Sequence, residues 1–494
     1  MLLLGYDLGS SSVKAVLLEA DSGLAVASAQ FPPAEMPIHA PQPGWAEQSP
    51  EDWWACIREV TRILLTMPGA DAHAIGAIGI SYQMHGLVAL DADGAPVRPA
   101  IIWCDSRAVA TGAQAFEALG TTYALGHLLN SPGNFTASKL RWVQQHEPDT
   151  YARIRHIMLP GDYIAYRLTG EIRTTVTGLS EGILWDFAEN RLATELLHLY
   201  EIDQTLIPAR CPVMGEQGLL TPAAAAALGL PSGIPITYRA GDQPNNALSL
   251  QVLEPGEIAA TAGTSGVVYG VTDRVQYDPQ SRVNTFAHVN HGANTRLGVL
   301  LCLNGCGILN SWARRITGAT SYPMMNEAAA TITPGSEGLT ILPFGNGAER
   351  ILGNLNPQAA VLGLDLNRHT HGHLYRAVQE GIAFALAWGI GIMRETGLDP
   401  AVIRAGSANM FLSPVFRETL AAATGVPIAL YETDGAAGAA RGAGLGLGYY
   451  PDTATAFAGL RQAGLTEPDP RLTTALAGAY DRWREALTRQ TGIA

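Results

Sequence analysis

The chain carries one short pattern of glycine and hydroxyl residues twice. Residues 9–11 read Gly-Ser-Ser and residues 263–265 read Gly-Thr-Ser, each between two apolar stretches that predict strands. A turn of this composition exposes backbone N–H groups and hydroxyls with little side-chain bulk, which suits the oxygens of a polyphosphate. The pattern therefore predicts these phosphate contacts: Gly9, Ser10, Ser11, Gly263, Thr264 and Ser265.

Two aspartates stand where acids could act on such a phosphate. Asp7 directly precedes the first turn, and it would hold Mg²⁺ through water, since this ion takes one or two carboxylates besides phosphate oxygens. Asp242 follows an apolar strand that ends at Gly241, ahead of a helix expected to begin near Asn245. It could be a general base for a sugar hydroxyl, or simply a turn or helix-capping residue.

Two further segments could bind organic parts of substrates. Met84 and His85 follow the predicted strand 75–81; the histidine would donate to a sugar hydroxyl, unless it is structural. After a predicted strand end at 403–406 come three residues that could form an adenosine site, or merely allow close helix packing: Gly406, Ser407 and Asn409.

The repeat implies an α/β protein of two related domains, which we place at residues 1–247 and 248–494. Alternating strands and helices fill the first half. Ser49 and Pro50 predict a helix start, and residues 373–396 predict a long helix. A segment rich in small residues follows Asp434, which is expected to cap a helix able to approach another backbone closely.

Composition excludes several classes of protein. A net charge of −13 argues against binding to nucleic acid or anionic membranes. Neither of the two lysines, Lys14 and Lys139, follows a glycine, so a Walker A loop is absent. The N-terminal apolar run is too short for a signal peptide, and the five cysteines form no CxxC pair. We therefore expect a cytoplasmic protein with reduced thiols.

Several motifs in one order resemble the FGGY family of carbohydrate kinases, and within it the D-xylulose kinases. They are YDLGSSSVK near the start, PGWAEQSPEDWW at 43–54, QMHG at 83–86, NFTASKLRWVQQHEP at 134–148, GDQPNNA around Asp242, AGTSG around Gly263, and GAERILGNLNPQAAVLGL at 347–364. The resemblance runs from Leu3 to about residue 447.

The resemblance implies a fold, a reaction and several roles. The fold would be two ribonuclease-H-like domains around a central cleft, as in actin, hexokinase and the 70-kDa heat-shock chaperones. The reaction would transfer the γ-phosphoryl group of ATP, with Mg²⁺, to the 5-hydroxyl of D-xylulose. Asp242 falls at the position of the family's catalytic base. Met84 and His85 fall at the sugar-binding pair, and Gln243 completes the substrate contacts.

Other activities stay open at this point. Xylulose kinases usually have Asn after the catalytic Asp, and Gln243 is more typical of glycerol kinases, whereas the Met84-His85 pair favours a ketose. A sibling kinase acting on ribulose, gluconate or glycerol is therefore the main alternative. A chaperone-like ATPase and an inactive sugar sensor are more distant ones. Such kinases are often homodimers, but the sequence has no interface signature.

Overall fold

The computed structural model describes residues 1–493, which form two compact units. Unit 1 contains Met1–Gln251, Phe286–Leu297 and Thr433–Leu460. Unit 2 contains the remaining described residues, in segments that begin at Val252, Gly298 and Arg461. Because the chain returns to unit 1 late in the sequence, no single cut separates the units. The predicted domain boundary between residues 247 and 248 stays a prediction.

The strands range from two-residue pairs to eight-residue core strands. In chain order they are β1 (Leu2–Leu8), β2 (Val13–Glu19), β3 (Ala25–Phe31), β4 (Glu47–Gln48), β5 (Ile75–Tyr82), β6 (Val88–Leu90), β7 (Ala100–Ile101), β8 (His156–Met158), β9 (Arg173–Thr174), β10 (Trp185–Asp186), β11 (Arg191–Leu192), β12 (Ala209–Arg210), β13 (Ile236–Gly241), β14 (Glu257–Ala262), β15 (Gly266–Thr272), β16 (Asn284–Ala287), β17 (Leu297–Leu303), β18 (Thr340–Phe344), β19 (Gln358–Leu362), β20 (Val402–Gly406), β21 (Ile428–Tyr431) and β22 (Gln462–Thr466).

The α-helices alternate with these strands. In chain order they are α1 (Pro50–Leu64), α2 (Val109–Leu119), α3 (Thr121–Leu128), α4 (Thr136–His146), α5 (Pro148–Tyr151), α6 (Pro160–Thr169), α7 (Val176–Glu181), α8 (Thr194–Leu199), α9 (Pro222–Leu228), α10 (Asp242–Ser249), α11 (Gly307–Thr317), α12 (Tyr322–Ala330), α13 (His371–Glu395), α14 (Pro414–Thr424), α15 (Gly435–Gly446), α16 (Thr453–Ala456) and α17 (Pro470–Thr491). Short 3₁₀ helices occupy Ala72–Ala74, Gln204–Leu206, Ser336–Gly338, Glu349–Leu352 and Asn409–Leu412.

The central sheet of unit 1 has the order β13-β5-β1-β2-β3. Strand β1 is antiparallel to β2 and parallel to β5, and β5 is parallel to β13. Almost every residue of β1 and β5 is buried, as expected for strands that are covered on both faces. The predicted hairpin at the N-terminus is thus the antiparallel start of a mixed sheet.

The large sheet of unit 2 has the order β16-β17-β15-β14-β20-β21-β22. Strand β14 is antiparallel to β15 and parallel to β20, and β20 is parallel to β21. The five strands β17-β15-β14-β20-β21 therefore repeat the order of the whole unit 1 sheet. The repeated turn lies at the equivalent hairpin in both units, and the α/β class predicted from the sequence is confirmed.

Helices cover both faces of the unit 1 sheet. On one face, the Tyr6 hydroxyl and the Thr61 Oγ1 of α1 are 2.6 Å apart. On the other face, α15 lies so close to Gly5 that a Cβ there would be 2.0 Å from the Ala436 carbonyl oxygen. Gly79 of β5 pairs with Gly5 of β1 and leaves the same narrow space beside α15. The small residues after Asp434 are therefore needed for close packing of helix on sheet.

Most predicted elements lie close to their expected bounds. The strand predicted at 75–81 is β5, the long helix predicted at 373–396 is α13, and α1 begins at Pro50. The helix expected near Asn245 begins three residues earlier, at Asp242, because the chain leaves the extended conformation directly after Gly241. Among residues 1–493, no helix combines the length and apolar character that a bilayer span would need.

The contact between α15 and the sheet predicts a stability effect. Gly5→Ala and Gly79→Ala should each lower the free energy of unfolding by about 1–3 kcal/mol or more, because the added methyl group meets backbone atoms of α15 that cannot move alone. Gly76→Ala is the matched control on β5, the strand of Gly79, since its Cβ would meet only the flexible Met1 side chain. Urea unfolding of the three variants checks this; equal losses in all three would contradict it.

Candidate active site

Three parallel neighbours of the unit 1 sheet bring the predicted catalytic residues together. Strands β1, β5 and β13 are adjacent and run in one direction, so their carboxyl ends share one edge of the sheet. Asp7 lies next to the end of β1, Met84 and His85 follow β5, and Asp242 follows β13. Residues that are up to 235 positions apart in sequence therefore meet because of strand order.

Asp7 is held in an acidic and crowded environment. The Ser81 hydroxyl donates to Asp7 Oδ1 at 2.7 Å. Gly435 leaves room for this carboxylate, since a Cβ there would be 2.4 Å from Asp7 Oδ2 and would displace it. Burial raises the pKa of Asp7, the Ser81 hydrogen bond opposes the shift, and the negative charge of Asp434 adds to it.

Asp242 is the first residue of α10. Burial raises its pKa to about 7, and the nearby charge of Asp7 adds to the shift. Hydrogen bonds from the backbone and side chain of Gln243 oppose it. The environment thus produces a carboxylate that can still accept a proton near neutral pH, which is the requirement for a general base.

Met84 and His85 form a bend between β5 and the rest of unit 1. The Met84 side chain is 5% exposed and packs on Gly241, where a Cβ would be 2.5 Å from Met84 Cγ. His85 Nδ1 is 2.9 Å from the carbonyl oxygen of Glu181. Because a carbonyl can only accept, Nδ1 carries the proton and Nε2 of the neutral ring is an acceptor. The predicted role of His85 as a donor to sugar hydroxyls stays a prediction; a neutral ring with this tautomer would accept at Nε2.

Two buried ionisable residues beside this bend were missed as site residues. Glu181, in α7, accepts from the Tyr82 hydroxyl at 2.6 Å and from the His85 N–H at 3.0 Å. Lys139, in α4, donates to the carbonyl oxygens of His85 at 2.8 Å and Ile102 at 3.0 Å. Lys139 was noted only as part of a family motif. Helix α4 reads TASKLRWVQQH and is mostly polar, so its pattern carried no signal that Lys139 would be buried.

The first glycine-hydroxyl turn directs its carbonyl groups into the protein. The Gly9 N–H donates to the Ser12 carbonyl at 3.0 Å, which closes the turn between β1 and β2. The Ser10 carbonyl accepts from Gln48 Nε2 at 2.7 Å, and the Ser11 carbonyl accepts from the Met36 N–H at 2.7 Å. Carbonyl oxygens would repel phosphate, so this arrangement suits a phosphate-binding turn.

The second turn, in unit 2, uses a helix for the same purpose. The Gly263 carbonyl accepts from the Gly307 N–H at 2.8 Å, and the Thr264 carbonyl accepts from the Ile308 N–H at 3.1 Å. Both donors belong to the first turn of α11, where such N–H groups have no partner within the helix. Thr264 and Ser265 are exposed. Both turns therefore leave hydroxyls and amides as their accessible polar groups.

The predicted adenosine segment lies at the same sheet edge as the second turn. Strand β20 is parallel to β14, so Gly406 and Ser407 emerge beside Gly263. Asn409 approaches this turn, with its Nδ2 3.6 Å from the position of a Cβ on Gly263. The residues after Asn409 form a 3₁₀ helix whose Met410 is buried. Unit 2 thus gathers one set of predicted nucleotide contacts, and unit 1 gathers the acids and sugar contacts.

The carboxylate oxygens of Asp7 fit a magnesium ion whose other ligands come mainly from the phosphates of a substrate. Within residues 1–493, no group of three or more His, Cys, Asp or Glu residues could hold a metal ion by itself. Carboxylate oxygens are hard ligands, and Mg²⁺ is commonly held by one or two of them together with phosphates and waters. Asp7 matches that mode: burial raises its pKa, the charge of Asp434 adds to the shift, and a nearby cation would favour its ionised form.

Comparison with known proteins agrees with this arrangement. Residues 2–249 match the N-terminal domain, and residues 258–447 the C-terminal domain, of the FGGY family of carbohydrate kinases. A xylulose kinase of Escherichia coli is 32% identical over 448 residues, which covers 89% of this chain and 88% of that protein.

Solved structures show the same fold. A xyloylose kinase from Brucella ovis superposes with a TM-score of 0.90 at 28% identity, covering 100% of both chains. A xylulose kinase from Rhodospirillum rubrum gives 0.88 at 27% identity, covering 99% of this chain and 98% of the other. The family resemblance and the two-domain fold predicted from the sequence are confirmed, and the chain belongs to the FGGY family of carbohydrate kinases.

Proposed function

We propose that this kinase transfers the γ-phosphoryl group of ATP to the 5-hydroxyl of D-xylulose. The observation that carries the proposal is the meeting of Asp7, His85 and Asp242 at one edge of the unit 1 sheet. The names of the relatives support the choice of sugar, because the E. coli and R. rubrum proteins are xylulose kinases. They disfavour the alternatives of ribulose, gluconate and glycerol.

Asp242 acts as the general base in this proposal. A sugar hydroxyl is a weak nucleophile, so a carboxylate that accepts its proton as the new phosphorus–oxygen bond forms lowers the barrier. The pKa of about 7 keeps a substantial fraction ionised near neutral pH while retaining basicity. The Gln243 side chain, which hydrogen-bonds the carboxylate, orients it toward the hydroxyl.

His85 and Met84 bind the sugar beside this base. With Nδ1 donating to the Glu181 carbonyl, the neutral His85 ring accepts a hydrogen bond from a hydroxyl of the substrate. Its ring also packs edge-on against Phe135, with 4.7 Å between centroids. Met84 supplies the apolar surface between β5 and Gly241 on which the carbon chain lies.

The two glycine-hydroxyl turns bind phosphate oxygens of ATP through their amides and hydroxyls, and the Gly406, Ser407 and Asn409 segment contacts adenosine. Asp7 would hold Mg²⁺. When bound, this ion supplies positive charge that neutralises the phosphates. The turn amides stabilise charge that develops on the transferred group, because the turn carbonyls accept bonds from Gln48, Met36 and α11 and so fix the orientation of the turns.

We place the reaction in the cytoplasm. The thiols of Cys56, Cys211 and Cys306 are buried and form no disulfide. Burial also raises the pKa of Cys56 and Cys211, which keeps these thiols protonated and unreactive. Reduced, buried thiols are typical of proteins from a reducing compartment.

The base assignment predicts a specific kinetic defect. Asp242→Ala should lower kcat for D-xylulose phosphorylation by about 10²–10⁴-fold, because the hydroxyl loses its proton acceptor. The dissociation constant for ATP should change little, since the phosphate turns are untouched. Stopped-flow or coupled ADP-release assays give kcat, and calorimetry gives the ATP affinity. Near-normal turnover would exclude Asp242 as the base, and Asp71→Asn, at an exposed position, is the control.

The raised pKa of Asp242 predicts a pH-dependent cost in stability. Its pKa is about 7 in the folded protein against an ordinary value of 3.8, so the cost of ionising it is absent below pH 4 and complete above pH 7. Asp242→Asn removes that cost. In EDTA at pH 8 the variant should melt roughly a few degrees above the wild type, with a smaller gain at pH 5. Differential scanning calorimetry measures this, and the proposed environment is wrong if the gain is equal at both pH values.

The choice of sugar predicts an order of substrates. In a coupled assay of ADP release, kcat/KM should be highest for D-xylulose among D-xylulose, D-ribulose, gluconate and glycerol. Glycerol tests the alternative raised by Gln243, and ribulose tests recognition of the ketose by His85. A preference for any of the other three would replace the proposed substrate while leaving the kinase assignment intact. Sugar-independent ATP turnover at a similar rate would contradict both.

A further inference from the structure

His85 has a backbone conformation that the surrounding protein must enforce. Its φ angle is +62°, in the left-handed region that few residues other than glycine adopt. Such a conformation costs of order 1 kcal/mol or more, and it persists only when neighbouring contacts hold it. The contacts that hold His85 should therefore be identifiable, and they matter for any role of its imidazole ring.

Two buried side chains from different helices bind the polar groups of this residue. Glu181 Oε2 accepts from the His85 N–H at 3.0 Å, and Lys139 Nζ donates to the His85 carbonyl at 2.8 Å. The Glu181 carbonyl accepts from the ring Nδ1 at 2.9 Å. The backbone donor, the backbone acceptor and the ring are thus each fixed by Lys139 or Glu181.

The fold alone gives little reason for these two charged groups. Lys139 is 0% exposed and Glu181 is 1% exposed. Within residues 1–493, Lys139 forms no ion pair; its ammonium bonds only the carbonyls of His85 and Ile102. Burial lowers the pKa of Lys139 to about 7 and raises that of Glu181 well above its usual range. Apolar residues would avoid this cost, as buried ion pairs replaced by packed apolar groups often show.

The consequence for the ring is a defined orientation and tautomer. The side chain of His85 is 17% exposed, so part of it can still be reached from outside the core. Phe135 and Phe286 contact the ring, at centroid distances of 4.7 and 5.3 Å. With Nδ1 bound to a carbonyl oxygen, the neutral ring presents Nε2 as an acceptor.

We propose that Lys139 and Glu181 are positioning residues that hold the His85 backbone and ring so that Nε2 accepts a hydrogen bond from the sugar. This inference rests on the proposed function, since it assumes that His85 contacts the sugar. It assigns a sugar-affinity role to two residues that would not touch the substrate. A role in folding alone would instead affect sugar and ATP equally.

Steady-state kinetics of four variants test the proposal. Lys139→Met removes the bond to the His85 carbonyl and should raise the KM for D-xylulose by roughly 10-fold to 100-fold, the scale of a buried hydrogen bond to a charged group. The KM for ATP should stay within about twofold. Glu181→Leu should behave likewise. Glu181→Gln, which keeps an acceptor for the His85 N–H, should restore sugar affinity to within a few-fold.

Matched controls come from the same two helices. Ser138 is next to Lys139 in α4, and Ser138→Ala removes a buried hydrogen bond to Tyr200. Thr177 lies in α7, and Thr177→Val removes a buried hydrogen bond to Thr175. The two hydroxyls bond Tyr200 and Thr175, not the groups that hold His85, so neither variant should change the KM for D-xylulose by more than about twofold. Thermal unfolding of all variants establishes that each is folded at the assay temperature. Equal rises in sugar and ATP KM for Lys139→Met would overturn the proposal.

A double-mutant cycle separates action through His85 from any other effect. In a His85→Ala background, Lys139→Met should cause no further rise in the sugar KM, because the residue it positions is gone. A full additional rise would overturn the proposal. Nitrogen-15 NMR of the imidazoles provides a readout without turnover: the signal lost in His85→Ala should show a protonated Nδ1 in the wild type. An Nε2-protonated ring there would also overturn it.

These readouts distinguish the two levels of inference. If the wild type phosphorylates none of the tested sugars, the proposed function fails, while the NMR experiment still decides whether His85 has the expected tautomer. If D-xylulose is phosphorylated but Lys139→Met and Glu181→Leu leave its KM unchanged, the positioning role fails and the proposed function stands.

Discussion

The parallel pairing of β13, β5 and β1 is the constraint on which the rest of unit 1 depends. It places the carboxyl ends of three strands at one edge of the sheet. Asp7, the His85 bend and Asp242 therefore lie close together although they are far apart in sequence. The same arrangement brings Asp7 and Asp242 into a buried region, where burial raises the pKa of both and the charge of Asp7 raises that of Asp242 further. The electrostatic cost of burying these acids therefore has its origin in the order of the strands.

Close packing of α15 makes this edge possible. Gly5 and Gly79 allow the helix to lie directly on β1 and β5, and Gly435 allows its N-terminus to reach Asp7. The helix belongs to a segment that returns to unit 1 after the chain has formed most of unit 2. Part of the site in unit 1 is thus completed by residues more than 400 positions away from Asp7.

Each unit forms the same glycine-hydroxyl hairpin, but different elements support the hairpin in the two units. At Gly9 the turn carbonyls bond a glutamine side chain and a loop amide, whereas at Gly263 they bond the first N–H groups of α11. In both cases the groups that would repel an anion are occupied by the protein. The repeat therefore preserves a geometry of amides and hydroxyls, and the supporting elements have diverged around it.

Local patterns were enough to predict the main elements, because strand and helix periodicity and turn composition depend on neighbouring residues alone. It also located the two turns, Asp7 and Asp242. Only the tertiary structure decided which groups surround His85: Glu181 and Lys139 lie 96 and 54 positions away, and no periodicity links them to it. It likewise decided the tautomer of His85 and the pKa of Asp242. Both depend on burial and on neighbours that strand order, not local sequence, brings together.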